Sequence, residues 1–251
     1  MTVLFVSYGN DSIALIQWMR EHSERPGICV FSDTGWAADS WMKRVCAGEN
    51  LAIKYGHRVK RIESIGMEEL ARQRKGWPSN QYQFCTAELK IYPALRWLDL
   101  VDPKKEMTCV IGIRREESRA RNTFPEWTEH SEKHAMRSLW APLVRVREQE
   151  RNDLISRAGF EVLPHRSMEC SPCVNANRND LRLLDRARIS EIAGIESRLG
   201  CTSKGNPRYM FRPKRFGGAC GIVEVVAWAN KPDGRTQEGR KLSACDSGWC
   251  G

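Results

Sequence analysis

Two close cysteine pairs and one loop built like an anion cradle are the parts of this 251-residue sequence best equipped for chemistry. Cys170-Ser171-Pro172-Cys173 is a C-x2-C turn, and Cys245-Asp246-Ser247-Gly248-Trp249-Cys250 is a C-x4-C. Two such pairs supply four thiolates, which suits a tetrahedral zinc or a [4Fe–4S] cluster. Spacing leaves zinc and cluster both open, and loop cysteines without a ligand are the plainer alternative. The other cysteines divide differently. Cys29 and Cys109 lie in strand-like apolar runs and read as small core residues. Cys46, Cys201 and Cys220 are dispersed. Ten cysteines behind an N-terminus that reaches Ser7-Tyr8-Gly9-Asn10 with no basic leader point to a cytoplasmic chain using thiols for metal or redox work, not to a disulfide framework.

The loop is Ser7-Tyr8-Gly9-Asn10-Asp11-Ser12, where a β-rich run, Thr2 to Tyr8, hands over to a helical pattern from Asp11 to His22. Gly9 permits a tight path, Ser7 and Ser12 offer hydroxyls, and the free N–H groups of a helix start attract phosphate. Asp11 and Ser12 serve equally well as plain caps of an exposed helix start. A second polar cluster, Ser32-Asp33-Thr34-Gly35, ends the next apolar run and fits contacts to a base or ribose, or an ordinary turn. A third follows the run Met107 to Ile113: Gly112 and then Arg114, Arg115, Arg119 and Arg121, four arginines within eight residues. Guanidinium forks of this kind clamp phosphate or sulfate oxygens.

The elements that must position these groups alternate. Strand-like runs at Thr2 to Tyr8, Ile28 to Ser32, Arg58 to Ile62 and Met107 to Ile113 are separated by helical patterns at Asp11 to His22, Ala38 to Tyr55 and Ala87 to Val101, the second interrupted near Gly48. Such alternation predicts a parallel sheet with helices on its faces and ligands beyond the C-terminal strand ends. After Pro125 the pattern loosens, with helices expected at Asn152 to Gly159 and Asp180 to Gly200 and an apolar run from Gly221 to Ala229. The division expected is a nucleotide-binding α/β domain over 1–165 and a helical, Cys-containing, basic region over 166–251, packed on the first. No apolar run approaches the roughly 18 residues that span a bilayer, so no membrane partner is expected. The net charge is +9, and residues 201–251 carry nine Lys/Arg against four Asp/Glu. That excess favours an anionic partner such as a nucleotide or nucleic acid, though a soluble basic surface accounts for it as well. Tyr209, Phe211 and Phe216, interleaved with Arg208, Arg212, Lys214 and Arg215, have the composition of a strand-stacking surface or of a basic loop packing its aromatics.

Taken together, these motifs resemble a known family. Ser7-x-Gly9-x-Asp11-Ser12 is similar to the PP-loop of the N-type ATP pyrophosphatases and of the phosphoadenosine phosphosulfate reductase family. Asp33-Thr34-Gly35, Phe84-Cys85-Thr86-x-x-x-Lys90 and Gly112-x-Arg114-x-x-Glu117-Ser118-x-x-Arg121 resemble that family's further elements, in family order, over residues 1 to about 125. Two departures stand out: Tyr8 replaces a common glycine, so its side chain must point away from the phosphates or stack, and Ala37-Ala38-Asp39 stands where the family usually has a proline.

The resemblance implies an adenine-nucleotide α-hydrolase-type sheet and an adenine nucleotide held by Ser7, Gly9, Asp11, Ser12, Asp33, Thr34, Gly35, Gly112, Arg114, Arg115, Ser118 and Arg121. Catalytic roles would fall to Asp11, Cys85 and Lys90, with Lys90 and the Arg114 group favouring the Cys85 thiolate. The Gly-x-Asp-Ser loop follows the ATP-cleaving members, which release pyrophosphate, adenylate an acceptor with Mg2+ on the phosphates, and let a sulfur nucleophile displace AMP. The acceptor would be a nucleic acid or another molecule, served by a sulfur-donor protein. The alternative is a sulfonucleotide reductase that makes sulfite through a cysteine thiolate and a thioredoxin-like reductant; a nucleotide-binding module without chemistry is the third. The resemblance also tips the metal toward iron–sulfur. The ligand set is then Cys170, Cys173, Cys245 and Cys250, or Cys85 with Cys170, Cys173 and one tail cysteine, which frees Cys250 as a nucleophile.

Overall fold

A computed structural model describes residues 1–23, 25–211, 217–218 and 220–232. Six strands form one sheet in the order β3-β2-β1-β4-β6-β5. The strands are β1 (Thr2–Phe5), β2 (Ile28–Asp33), β3 (Arg58–Glu63), β4 (Thr108–Ile111), β5 (Trp127–Ser131) and β6 (Arg137–Trp140). All neighbours pair in parallel except β5, which runs antiparallel along β6. Strand β1 alternates its faces: Leu4 joins one apolar cluster and Val3 and Phe5 the other. Both faces are therefore covered, which is why β2 reads as the near-continuous apolar run Ile28-Cys29-Val30-Phe31. On one side lie α1 (Asn10–His22), α2 (Asp39–Lys54) and α6 (Glu148–Arg157), through Ile13, Leu15, Ile16, Val45, Leu51 and Leu154. On the other lies α5 (Tyr92–Val101), through Ala94 and Leu98. Each fully buried Leu, Ile or Phe here contributes about 1.5–3 kcal/mol. The edge strand β3 buries only Ile62 and keeps Arg58, Lys60 and Arg61 on its rim, a charge pattern that discourages edge-to-edge pairing.

The remaining helices are α3 (Met67–Gln73), the single turn α4 (Phe84–Thr86), α7 (Arg178–Arg182), α8 (Arg186–Leu199) and α9 (Gly221–Asn230). A third apolar cluster joins α7 to α9, through Leu181, Ile192, Ile195, Ile222 and Val225, with Trp36, Met67, Leu70 and Leu89 from the sheet region.

The structure departs from the sequence reading in four places. α2 runs without a break through Gly48. The helix expected over Asp180 to Gly200 is two, because Asp185 caps a fresh start by accepting from Arg188 N–H. The helix expected from Asn152 begins at Glu148. The β5–β6 pair was not foreseen. Among the described residues no helix is long and apolar enough to cross a membrane.

Candidate functional site

Strand order fixes where a ligand can sit. β1 lies between β2 on one side and β4 on the other, with Phe5 beside Ile111, so the chain's direction of travel across the sheet reverses between β1 and β4. In open parallel sheets the crevice beyond such a switch point is the ligand site. The loop after β1 is Ser7 to Ser12, and the loop after β4 carries Gly112 and the arginines.

The first loop is tied into a tight shape. Ser7 N–H donates to Ser12 Oγ at 2.9 Å, the two hydroxyls are 3.2 Å apart, and Gly9 N–H donates to Ser7 Oγ at 3.3 Å. Two side chains of α2 hold its carbonyls: Trp41 Nε1 donates to Ser7 O at 3.2 Å and Arg44 Nε to Tyr8 O at 3.0 Å. Asn10 exchanges two bonds of 3.0 Å with the backbone of Leu163. The helix start is therefore not exposed, as expected from sequence, but buried, with Asp11 only 2% accessible. Tyr8 sits at φ 60°, and its ring is fully buried against Phe31 and Gly48. It stacks away from the loop's interior, one of the two outcomes its bulk required. Its hydroxyl has no hydrogen-bond partner among the described residues, and burial pushes the phenol up.

The two loops meet through a buried ion pair. Arg114 Nε donates to Asp11 Oδ1 at 2.6 Å, and Arg151 of α6 stands 3.9 Å from the same oxygen. Gly112 makes the approach possible, since a Cβ there would come within 3.1 Å of the Asp11 carbonyl oxygen. Glu117 accepts from Arg114 N–H at 3.1 Å and pairs with Arg121. Arg115 turns the other way: its Nε and Nη2 donate to Phe124 O at 3.0 and 2.8 Å, so it braces the loop from within. Arg119 is exposed and Ser118 half-buried.

Glu117 is pushed up to about 7, chiefly by burial and then by the charge of Asp11, against the pull of Arg121. From its ordinary 4.5 up to about 7, the folded chain holds a proton that the unfolded chain has released. Stability should therefore fall as pH rises through that window and level off above it. The full difference is about 3 kcal/mol at 1.36 kcal/mol per unit. Glu117→Gln should flatten the slope in urea titrations at pH 5 and pH 8; an unchanged slope would count against this ionisation.

The third element ties the sheet to the cysteine turn. Asp33 Oδ1 accepts from Gly35 N–H at 2.9 Å, which shapes the turn after β2. Thr34 donates to Glu169 O at 2.9 Å and accepts from Cys170 Sγ at 3.8 Å. A narrow cleft, with about 30 Å³ of room for water, brings Thr34, Lys90 and Glu169 together with Cys85, Cys170 and Cys173. Lys90 reaches it from a π-turn, Ala87–Ile91, of the kind that re-aims side chains at functional sites, and pairs there with Glu169. Burial pushes the Cys170 thiol up; Lys90 opposes this, and Glu169, Cys173 and Cys85 add to it.

Placement thus differs from expectation in several respects. Cys85 shares its cleft with the C-x2-C pair, and Arg114 is engaged with Asp11. Cys245 and Cys250 lie outside the described residues. Among the described residues no three His, Cys, Asp or Glu side chains stand close enough to hold a metal ion. In the proposed stacking stretch Phe211 is buried, and Arg208 binds the carbonyls of Leu199 and Cys201, so both serve packing. Arg212, Lys214, Arg215 and Phe216 lie outside the described residues, and Tyr209 is half-buried. Sequence reasoning missed Glu169, Arg151 and Leu163. Glu169 directly precedes Cys170, but no periodicity marks a carboxylate as the partner of a lysine 79 positions earlier.

A mostly parallel α/β sheet with a tight polar loop at its switch point and a buried Asp–Arg link across it defines the class: a doubly wound α/β fold. The chain belongs to the phosphoadenosine phosphosulfate reductase domain family, a family of enzymes of sulfur metabolism, whose profile matches residues 1–178. It is similar to an uncharacterized 37.8 kDa protein in the gpa 5′ region of Escherichia phage 186, at 25% identity over 270 positions, covering 83% of this chain and 78% of that one. It is also similar to the crystal structure of phosphoadenylyl-sulfate (PAPS) reductase from Candida auris, a phosphate complex, with a TM-score of 0.46 and 16% identity over 64% of this chain and 75% of that one.

Proposed function

We propose that this protein binds an adenine nucleotide at the β1–β4 switch point and cleaves ATP to AMP and pyrophosphate, activating an acceptor for sulfur transfer. The observation that carries the reading is the Asp11–Arg114 link, which joins the Gly-x-Asp-Ser loop to the arginine loop. Ser7, Gly9 and Ser12 would cradle phosphate, with Mg2+ neutralising charge between phosphate oxygens. The acceptor oxygen attacks the α-phosphorus, pyrophosphate leaves, and the sulfur nucleophile then displaces AMP. The basic composition of residues 201–251 supports a nucleic-acid acceptor and a separate sulfur-donor protein.

The family favours an iron–sulfur centre over zinc, and the cleft gathers three thiols, Cys85, Cys170 and Cys173. Cys170 and Cys173 would hold it, completed by Cys245 and Cys250, or by Cys85 with one tail cysteine. When bound it would supply electrons or sulfide to the sulfur chemistry. Lys90, steadied by Glu169, would present its positive charge to anionic groups entering the cleft.

The same three thiols favour a second reading, sulfonucleotide reduction. There a thiolate attacks the sulfur of adenylyl sulfate, AMP leaves, and a dithiol donor, oxidised to its disulfide, releases sulfite. Anaerobically purified protein separates the two. ATP in the presence of acceptor should give AMP and pyrophosphate, and Ser12→Ala should weaken ATP binding about tenfold by calorimetry, the loss of one hydrogen bond to a charged group. Sulfite from adenylyl sulfate and a dithiol, with no binding of ATP, would install the second reading instead.

A further inference from the structure

Residues 72–84, which run directly into Cys85, hold Arg72, Arg74 and Lys75 with Trp77, Tyr82 and Phe84 and contain no Asp or Glu. Basic and aromatic residues interleaved in this way are the composition of a surface for single-stranded nucleic acid. The segment forms a braced turn with one ring left outside. Ser79 and Tyr82 exchange backbone hydrogen bonds of 3.1 Å in both directions, and Ser79 Oγ also accepts from Tyr82 N–H at 3.1 Å. Gln83 Nε2 donates to Asn80 O at 3.1 Å. At one end Trp77 Nε1 donates to Arg208 O at 3.1 Å, and its ring lies 5.7 Å from that of Trp36. At the other end Phe84 packs against the apolar cluster of α7 to α9, with the Arg74 guanidinium 5.5 Å from its ring centre. The Tyr82 ring lies 5.4 Å from that of Phe84 and is tilted by 59° to it, yet Tyr82 is 65% exposed. Its neighbour Gln83 lines the cysteine cleft.

An exposed tyrosine by itself needs no explanation. This one is fixed by a hydrogen-bonded turn against a second, anchored ring, one residue from the wall of a cleft that holds three thiols. Its π-face is therefore already in place, and little conformational entropy is lost when a planar group stacks on it. Charge plays the smaller part. Arg72 pairs with Glu69 at 2.7 Å and Arg74 pairs with Glu88, so both guanidinium charges are answered within the protein. Exposed Lys75 is left to meet a phosphate. Bases inside a duplex keep their faces stacked on one another, so the ligand suited to this ring is an unpaired strand. We propose that the 72–84 turn docks a single-stranded nucleic acid, with one base stacked on Tyr82 and Lys75 answering backbone charge, and so delivers the strand to the cysteine cleft. The inference deepens the functional reading above by naming the acceptor's class, and it rests on that reading for the acceptor's role.

The test is fluorescence anisotropy of the full-length protein with a labelled single strand of about 12 nucleotides, within the usual span of such sites, and with its duplex, alongside calorimetry with ATP and AMP. Tyr82→Ala should weaken single-strand binding about tenfold, the loss of one stacked base, while Tyr82→Phe keeps the ring and should stay near the parent. Lys75→Ala should lower the salt dependence by about 0.7 in the slope of log affinity against log salt, one phosphate contact on a single strand. The duplex should bind more weakly and ignore Tyr82→Ala, and ATP and AMP affinities should be unchanged in every variant. Single-strand affinity equal in the parent and Tyr82→Ala, or no single-strand binding by a chain that binds ATP, would overturn the inference and leave ATP cleavage with another acceptor. Weaker AMP binding in Tyr82→Ala would also overturn it, since the ring would then belong to the cofactor's adenine. Single-strand binding that depends on Tyr82, in a chain that binds neither ATP nor AMP, would keep the docking turn and remove the functional reading.

Discussion

Asp11→Ala should cost the fold about 3–5 kcal/mol, the range for stripping one partner from a buried ion pair. Sequence alone places Asp11 at an exposed helix start, where the same change would touch only the ligand. The structure puts the Asp11 and Arg114 side chains at 3% and 6% exposure, 2.6 Å apart. Alanine leaves Arg114 charged and without that partner. Domain stabilities are of order 5–15 kcal/mol, so the variant should lose about a fifth or more of its margin. Part of the loss should return through Glu117: without Asp11's charge nearby its carboxyl ionises more readily and answers Arg114 instead. Urea midpoints of Asp11→Ala, Arg114→Ala and the double variant provide the check. The double variant should be markedly more stable than the two single losses summed. A single variant within about 1 kcal/mol of the parent would mean that the two loops are not joined by this pair.

The parts of the sheet legible in the sequence were those buried on both faces. Ile28-Cys29-Val30-Phe31 and Cys109-Val110-Ile111 announce themselves because nothing polar is tolerated there. The β5–β6 pair hid for the opposite reason. Trp127-Thr128-Glu129-His130-Ser131 leaves most of its side chains exposed at the sheet edge, so it carries no apolar run to read. Arg137 opens β6 fully buried, because Asp102 waits for it at 2.7 Å, and a buried arginine looks like a surface one in sequence. The same blindness covers the cysteine cleft. Cys85 and Cys170 are 85 positions apart, and it takes Thr34, bonded to Glu169 and Cys170 at once, to bring the turn after β2 to the cysteine turn. Cys85 was recognisable only through its family-like context. Arg114 and Arg115 are adjacent and alike in sequence. Their roles diverge because one guanidinium meets a carboxylate and the other a loop carbonyl.

Gly48→Ala should destabilise the protein and disturb the Ser7 to Ser12 loop, although helix propensity argues the reverse. Alanine in place of a mid-helix glycine ordinarily gains about 1 kcal/mol. At Gly48, however, a Cβ would fall 2.2 Å from Tyr8 Cδ1 and 2.8 Å from Cγ. The clash cannot be relieved at a flexible tip, because these are ring atoms near the root of a fully buried side chain. Overpacking of this kind costs about 1–3 kcal/mol, and the ring has no free side to move to: Phe31 packs against it, and Arg44 holds the Tyr8 carbonyl. At a separation as short as 2.2 Å the cost lies toward the top of that range, so the clash should win by up to about 2 kcal/mol net of propensity, and any shift of Tyr8 moves the backbone between Ser7 and Gly9. Restoring a glycine at position 8 is the decisive companion. Tyr8→Gly alone forfeits a buried aromatic, about 3–5 kcal/mol, less the 1–2 kcal/mol or so that an L-residue at φ 60° gives up. In the double variant the clash is gone, the new methyl fills part of the space, and the helix keeps its propensity gain. The pair should therefore be coupled by about 2 kcal/mol or more in urea denaturation of the four proteins. ATP affinity should drop in Gly48→Ala and recover in the double variant. A Gly48→Ala protein about 1 kcal/mol more stable than the parent, with ATP binding intact, would show that propensity alone governs this position and that the Tyr8 ring does not set the shape of the loop.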